Sequence, residues 1–462
     1  MLSFGQRTAP WTVADELRAL FRLAAPLMAA HAGYQLMSLV DSAMVGRLGD
    51  AALAGVGIGN SIFVALTLAG AGCVFGMDAL ATQAVGAGRE TDARRILFQG
   101  LRVAAIASLP LTIALAMAPM GLAWAGVDEA TAASTRYFLW ARLPNLGGFL
   151  AFAAYRSYLQ AHGRTRPIVV ATVVANLVNA VGNAVLVFGD RAFLALGLPG
   201  LGLPALGVTG SGLATSLAAL AALAILVFAA AALPVRREIG DRRAVPEVMV
   251  KIFRLGLPIG FQLFAEIGIL AIIGVFAGRL GANAAAGHQV ALTLEAMTFT
   301  VTLGIANATM VRVGWAVGRR REPRAIRGAG FTGLALAAVF MTACAFVFLV
   351  APASIAPLIT NDPAIIASAV PLLMIAGAFQ LFDGAQVVAA GALRGAGDSR
   401  TPFVATLIGH YAIGLPAAAY LGFGAGLGTV GLWWGMCAGL ACVALMLVPR
   451  FAWLASRPVD LA

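Results

Sequence analysis

The sequence predicts an all-α polytopic membrane protein with twelve transmembrane helices in two pseudo-symmetric six-helix bundles. Composition, the length of the apolar runs and an internal repeat support this class. Of 462 residues, 61% are hydrophobic and 11% are charged, against about 25% charged in soluble domains. The apolar runs approach the ~20 residues that a membrane helix needs, and they lack the alternation of barrel strands.

Polar, Gly and Pro breaks divide the apolar runs into twelve predicted spans. The spans cover residues 17–45, 51–81, 94–119, 130–158, 167–188, 206–233, 248–278, 284–314, 326–352, 364–392, 402–424 and 428–454. Because a backbone in lipid must satisfy its hydrogen bonds internally, we expect each span to be helical.

Arginine placement predicts the orientation of the spans. The net charge is +11, and all basic residues except Lys251 are Arg. Alternate connections hold most of them, namely Arg89, Arg94, Arg95, Arg164, Arg166, Arg236, Arg237, Arg242, Arg243, Arg319 to Arg321, Arg324, Arg327, Arg394 and Arg400. Short cytoplasmic loops retain positive residues, so we expect both termini in the cytoplasm. This placement between spans argues against binding of nucleic acid.

An internal repeat divides the chain into two halves. FRLAAP at 21–26 matches FRLGLP at 253–258, and GRLG at 46–49 matches GRLG at 278–281; 253 − 21 and 278 − 46 both give 232. Both halves start on the same side, and transporters built from such parallel repeats bind substrate between them. The predicted domains are an N-terminal six-helix bundle at 1–235, a cytoplasmic linker at 236–247 and a C-terminal six-helix bundle at 248–462.

Five carboxylates fall inside predicted spans: Asp41, Asp78, Glu266, Glu295 and Asp383. A charge at bilayer depth costs at least ~2.5 kcal/mol, so such residues are usually paired or functional. Asp41, Glu266 and Asp383 lie further from the span ends, which favours ion or substrate binding. Asp78 lies near the cytoplasmic end of its span, which favours a structural role. Glu295 is equally compatible with function and with a paired position in the core.

Amide side chains accompany these carboxylates. They are Asn176, Asn179 and Asn183 on one face of the fifth span, Gln262 four residues before Glu266, and Gln380 three residues before Asp383. In the first span, Tyr34 shares the face of Asp41. Hydrogen bonding between helices is the alternative role for such amides. Oxygen-rich pockets suit hard cations such as Na⁺, and carboxylates also suit protons.

Four segments carry a family resemblance. They are LAAPLMAAHAGYQLMSLVDSAMVGRLGDAALAGVGIGNSI, GMDALATQAVGAGRETDARR, LGLPIGFQLFAEIGILAIIGVFAGRLGANAAAGHQVAL and FQLFDGAQVVAAGALRGAGDSRTPF. With them the chain resembles the MATE family of multidrug and toxic-compound exporters, in its NorM-like branch, over nearly its whole length. The resemblance implies two six-helix bundles around a V-shaped cavity and cation-coupled export of cationic, amphipathic compounds.

The resemblance also implies roles for individual residues. Asp41, Glu266, Asp383, Asn179 and Asn183 match the acidic and polar residues of the family's first, seventh, tenth and fifth helices, and are the predicted cation-binding residues. The predicted substrate-cavity residues are Tyr34, Asn176, Gln262, Gln380 and Glu295. Two features depart from the family pattern: GHYAIGLP, where relatives tend to have Tyr-Trp before Gly-Leu-Pro, and Glu295, which matches no family motif.

The predicted function is secondary active efflux from a bacterial-type cytoplasmic (inner) membrane, with small organic cations exported in exchange for Na⁺ or H⁺. We expect a monomer without enzymatic activity, without a cofactor and without any metal ion beyond Na⁺ at the cation-binding residues. One alternative is a lipid-linked oligosaccharide flippase, which would usually have fourteen helices and arginines within its spans; here there are twelve spans, with few arginines well away from their ends, of which Arg142 is the clearest. Another is an intramembrane enzyme. The GAGD at 395–398 matches the Gly-x-Gly-Asp pattern of an aspartyl membrane protease, but it falls in an Arg-flanked loop and not within a span.

Overall fold

The computed structural model describes residues 12–122, 124–195, 197, 199–236, 241–319 and 323–462, and within these ranges all regular structure is helical. Six long helices lie in the first half of the chain: α1 Val13–Val45, α2 Asp50–Gly86, α3 Glu90–Met117, α4 in two segments Glu129–Ala141 and Leu143–Ala161, α5 Arg166–Phe188 and α6 Gly207–Ala231. Six lie in the second half: α7 Pro246–Arg279, α8 Ala282–Gly318, α9 Pro323–Val350, α10 Pro363–Gly395, α11 Arg400–Gly424 and α12 Gly428–Leu454.

The described residues contain ten helices that are long and apolar enough by themselves to cross a membrane. The two long helices outside this set are α1, whose first turn is acidic, and α4, which Arg142 divides into segments of 13 and 19 residues. Each nevertheless coincides with a predicted span. The twelve long helices confirm the predicted fold class, and the protein is a multi-pass membrane protein.

The two halves repeat each other in backbone geometry as well as in sequence. α2 and α8 each contain 37 residues and follow Gly49 (φ 111°, ψ 171°) and Gly281 (φ 117°, ψ 166°). Backbone at such positive φ favours glycine, because it strains other residues. These glycines end the two GRLG motifs and lie 281 − 49 = 232 residues apart. The offset of 232 residues therefore separates two equivalent helix starts as well as two equivalent sequence motifs.

The two halves meet at the end of the molecule that carries the arginine-rich connections, called here the arginine-rich end (Arg89, Arg94, Arg95, Arg164, Arg166, Arg242, Arg243, Arg324 and Arg327). Gly76 of α2 lies so close to α7 that a Cβ atom there would collide with the Ile252 carbonyl oxygen. Glu16 of α1 and Arg312 of α8 form an ion pair, with Nε 2.9 Å from Oε1. A residue without a side chain, such as Gly76, permits two membrane helices to approach this closely.

The predicted linker is described only in part, because residues 237–240 lie outside the described residues. Its later part is bound to α3. Arg94 Nε lies 3.3 Å from Asp241 Oδ2. Gln99 Nε2 donates to the Arg243 carbonyl (2.8 Å), and Gln99 Oε1 accepts from the Val245 N–H (3.1 Å). The chain is therefore anchored to the first half immediately before α7 begins.

The GHYAIGLP segment coincides with a change of helix type in α11. π-Helical turns cover Leu407–Gly414 and Tyr420–Gly424. His410 is buried, and Tyr411 Oη donates to the Ala265 carbonyl of α7 at 2.8 Å. The segment that departs from the family pattern thus packs directly beside the helix turn that carries the predicted Glu266 site.

Candidate functional site

The Asp41 carboxylate of α1 accepts hydrogen bonds from three side chains of two other helices. Asn179 Nδ2 and Asn183 Nδ2 of α5 lie 2.9 and 2.6 Å from Oδ1. Thr215 Oγ1 of α6 lies 3.2 Å from Oδ2, and Asn179 Nδ2 lies 3.3 Å from Thr215 Oγ1. Asp41 thus contacts both of the asparagines that were predicted with it as cation-binding residues, and Thr215 is an additional donor that sequence reasoning missed.

The two asparagines also supply oxygen atoms that have no protein partner. Asn179 and Asn183 lie one helical turn apart and are both 0% exposed. Their Oδ1 atoms are buried and accept no hydrogen bond from the described residues. Leaving a buried polar group unsatisfied costs about 1–3 kcal/mol. These oxygens are therefore suited to a ligand that arrives next to Asp41.

Asn176 lies on the same helix but has a different environment. Its Nδ2 donates to the Gly33 carbonyl of α1 (3.0 Å) and to the Thr172 carbonyl (2.9 Å). It is not among the residues that line the cavity beside Asp41. The structure thus corrects the expectation of a cavity residue: Asn176 holds α5 against α1, which is the alternative role of amides in membrane helices.

A cavity of about 490 Å³ opens beside Asp41. Aromatic side chains form much of its wall, namely Tyr34, Phe63, Phe138, Phe149, Phe152 and Phe299. The predicted Tyr34 packs edge-on against Phe152, with ring centroids 6.2 Å apart. Apolar walls with a few polar groups suit a small amphipathic ligand.

Arg142 enters this cavity, although sequence reasoning assigned it no role beyond the flippase alternative. It lies between the two segments of α4 and is 7% exposed. One terminal nitrogen, Nη1, donates to Asn60 Oδ1 at 2.9 Å, and the guanidinium carbon lies 3.6 Å from the Phe63 ring centroid. An arginine immediately before Leu-Pro within a span was the available signal. The cavity therefore contains a fixed cation as well as the Asp41 carboxylate.

A second polar cluster surrounds Glu266 of α7. Its Oε1 accepts from Gln262 Nε2 (2.9 Å), Gln386 Nε2 (3.1 Å) and Thr406 Oγ1 (3.5 Å). Gln262 Oε1 in turn accepts from Arg394 Nη2 at 2.9 Å. Arg394, interpreted from sequence as part of a cytoplasmic connection, belongs to the last turn of α10. The sequence analysis noted Gln262 four residues before Glu266, whereas the contacts of Gln386, Thr406 and Arg394 were not predicted.

Asp383 of α10 and Glu295 of α8 are buried, and Asp383 lies near enough to Glu266 and to Glu295 to interact with each electrostatically. Asp383 Oδ2 and both polar atoms of Gln380 are buried without a hydrogen-bond partner among the described residues. Close, buried like charges require a proton or a cation among them. The second half thus contains a group of carboxylates suited to binding one.

The expectation that Gln262, Gln380 and Glu295 line the same cavity as Tyr34 needs correction. None of them is among the residues lining the cavity beside Asp41. They lie on α7, α10 and α8, and all three are buried. The physical reason is that α8 packs closely on α10, and hydrogen bonds from Gln386 and Arg394 of α10 reach Glu266 and Gln262 of α7, so these polar side chains meet inside the second half.

Two further polar residues join helices or stay unsatisfied. His288 Nδ1 of α8 accepts from Trp433 Nε1 of α12 at 3.1 Å, which accounts for a histidine in this span. Asp78 Oδ1 of α2 is buried without a partner among the described residues. The structural role expected for Asp78 from its place near the helix end stays a prediction.

Known proteins resemble the chain over nearly its full length. "Probable multidrug resistance protein NorM" of Pseudomonas putida is 34% identical over 451 residues, which cover 96% of this chain and 95% of that protein. A protein of the same name from Deinococcus radiodurans is 36% identical over 449 residues, covering 94% and 95%. Among solved structures, the eukaryotic MATE transporter AtDTX14 superposes with a TM-score of 0.83 at 20% identity, covering 96% of this chain and 99% of that one.

A MATE structure in the straight conformation superposes with a TM-score of 0.85 at 20% identity, covering 96% of each chain. At such identity, the two structural matches establish the fold alone. The MatE family model matches residues 26–185 and 258–420, and the two matches start 258 − 26 = 232 residues apart, which is the offset of the sequence repeat. The chain therefore belongs to the MATE family, in its NorM-like branch.

Proposed function

We propose that this protein is a secondary active multidrug efflux antiporter of a bacterial-type inner membrane, which exports cationic amphipathic compounds in exchange for Na⁺ or H⁺. The observation that carries the proposal is the Asp41 carboxylate, which lies inside a membrane helix, binds three donors and borders an aromatic cavity. The relatives from P. putida and D. radiodurans, both named as probable multidrug resistance proteins, support efflux.

Asp41, Asn179, Asn183 and Thr215 form the proposed cation site of the first half. Hard cations bind oxygen ligands. Besides the carboxylate, the two buried Asn Oδ1 atoms are available, since no described residue donates to them. Rotation of either side-chain amide by 180° about its Cβ–Cγ bond would direct its oxygen, instead of its nitrogen, toward an ion at Asp41. A proton on Asp41 would occupy the same carboxylate, so H⁺ and Na⁺ binding exclude each other.

Glu266 and Asp383 form the proposed cation site of the second half. Glu266 binds three neutral donors, whereas Asp383 Oδ2 has no partner among the described residues. We assign Gln262, Gln380 and Glu295 to the surroundings of this site. An ion that enters would satisfy the free oxygens of Asp383 and Gln380 and reduce the repulsion among the carboxylates.

Alternating access in this account follows from movement of the two halves against each other. The halves meet at the arginine-rich end, whereas the cavity lining reaches Ser42 and Gly57, near the opposite end. With arginine-rich loops and both termini in the cytoplasm, this state faces outward. The moving units are residues 1–235 and 248–462, joined by the linker 236–247, in a monomer that needs neither a cofactor nor nucleic acid.

A lipid-linked oligosaccharide flippase is the second candidate, because Arg142 lines the cavity and an arginine suits a phosphate group. Purified protein in liposomes distinguishes the two. Dye efflux is measured with a Na⁺ gradient alone and then with a pH gradient alone, and lipid translocation is measured in the same vesicles. The antiporter predicts dye efflux driven by at least one gradient. Lipid translocation without gradient-driven dye efflux would assign the flippase.

A further inference from the structure

The side chain of Arg142 faces the substrate cavity because α4 is interrupted there. Arg142 has φ −97° and ψ −2°, and the second segment of α4 starts after it with Pro144 in its first turn. Proline cannot continue the hydrogen bonding of the preceding segment. The cavity lining includes Arg142 together with Asn60 and Phe63 of α2. The arginine is thus held in place by local chain geometry.

The hydrogen bonding of Arg142 is incomplete. A guanidinium has five N–H donors, and in the described residues Arg142 donates to Asn60 Oδ1 alone. Its Nε is buried without a partner. Its flat face lies against Phe63, with Phe138 5.2 Å from the guanidinium carbon. Stacking of this kind holds the plane of the group, and its remaining N–H donors have no acceptor among the described residues.

Asp41 does not neutralise Arg142 by direct contact. The three hydrogen bonds to the Asp41 oxygens come from Asn179, Asn183 and Thr215. Arg142 makes no contact ion pair within the described part of the chain, although the two charges are near enough to interact through the cavity. A buried charge without a paired partner is unfavourable. The arrangement therefore suits an anionic group brought by a ligand.

The charges of the cavity define which ligand fits. Among its described lining residues, Asp41 is the one carboxylate and Arg142 the one guanidinium. When the ammonium group of a ligand lies at Asp41 in place of the coupling cation, the remaining fixed charge is that of Arg142. An aromatic molecule with a carboxylate would then place its ring among the phenylalanines and its carboxylate against the guanidinium edge, which matches planar carboxylates in a bidentate manner.

We propose that Arg142 is a specificity-determining residue that binds the carboxylate of an aromatic, zwitterionic substrate and so favours such substrates over permanent monocations. This inference rests on the proposed efflux function and specifies the substrate class of the same cavity. The two charged groups of the substrate bind different residues of one cavity. Its ammonium group competes with the coupling ion for Asp41, and its carboxylate binds Arg142.

The test compares two dyes that share a chromophore. Rhodamine 6G is an ethyl ester with one positive charge, and its hydrolysed free acid is zwitterionic at neutral pH. Binding of each dye to purified protein is measured by fluorescence polarisation at fixed pH and Na⁺ concentration. Because the measurement is made at equilibrium without a gradient, a failure of ion-coupled efflux leaves this test unaffected.

Arg142→Gln is expected to weaken binding of the free acid by about ten- to a hundredfold, the usual effect of losing a hydrogen bond to a charged group, with ester binding unchanged or tighter. Arg142→Lys should weaken free-acid binding less, since charge remains but the planar fork is lost. The matched control is Arg156→Gln, because Arg156 stacks on Phe75 in the same half but does not line the cavity; its dye ratio should equal that of the wild type.

Equal weakening of both dyes by Arg142→Gln would overturn the proposal, since it would indicate loss of cavity structure alone. Unchanged affinities of Arg142→Gln for both dyes would overturn it as well. If Arg142→Gln does not fold, Arg142→Lys decides: a ratio shifted toward the ester supports the proposal, and a wild-type ratio contradicts it.

Discussion

The Asn183 side-chain amide donates a 2.6 Å hydrogen bond to Asp41 Oδ1, joining α5 to α1 across 142 positions of sequence. The contact places the first-half carboxylate against two amides whose own oxygens are unsatisfied. In a membrane interior such an arrangement is costly unless a ligand completes it. It is the structural basis for regarding Asp41 as an ion ligand rather than a helix-packing residue.

Replacing Thr215 by Val tests the donor that sequence reasoning missed. Val preserves the shape of Thr but removes the hydroxyl that donates to Asp41 Oδ2 and accepts from Asn179. We expect the ion concentration for half-maximal efflux to change by roughly three- to tenfold, the effect of about one hydrogen bond. Ser216→Ala is the matched control, because Ser216 Oγ donates to the Ala141 and Gly212 carbonyls instead. A Thr215→Val response identical to the Ser216→Ala response would remove Thr215 from the site.

Neutralising the second-half carboxylates should abolish gradient-driven efflux. Glu266→Gln and Asp383→Asn each remove a charge that a coupling ion would bind, while keeping side-chain shape. Membrane insertion should be intact, since removing a buried charge lowers the insertion cost. Efflux from proteoliposomes and the amount of reconstituted protein are measured together. Wild-type efflux from both variants would refute the assignment of this cluster as an ion site.

An added methyl group at Gly76 should prevent the two halves from closing at the arginine-rich end. The Cβ of Gly76→Ala would collide with the Ile252 carbonyl, which is backbone and cannot move aside alone. We expect efflux to fall at least about tenfold, and spin labels at positions 89 and 324 to move apart, because interfaces of packed helices switch rather than deform. Gly278→Ala on α7 is the control, because Gly278 is exposed and no atom lies within 4 Å of the place its new methyl group would take. Unchanged label distances in Gly76→Ala would contradict a rigid contact there.

Features that depend on residues close together in the sequence can be predicted from it, whereas features that depend on contacts between distant helices cannot. The helices and the repeat follow from local apolar runs and glycine positions, so they are predictable. Asn179 and Asn183 are predictable because helical spacing places them on one face. Asn176 shares that spacing, but the packing of α1 directs it to backbone carbonyls. The role of Arg142 is not predictable in this way. Its environment is formed by Asn60 and Phe63 of α2, and residue spacing within a helix does not predict which residues of a different helix pack against it.

The measurement that tests the central claim most directly is ion-driven dye efflux by Asp41→Asn in proteoliposomes, together with equilibrium dye binding by the same variant. The control is Asp50→Asn, since Asp50 is exposed at the start of α2. If Asp41 binds the coupling ion, Asp41→Asn loses gradient-driven efflux by at least about tenfold, as expected when a charged ligand group is removed, while it still binds dye. The Asp50→Asn variant should pump normally. Wild-type pumping by Asp41→Asn under the same ion gradient would show that this carboxylate only holds helices together, and would contradict the account.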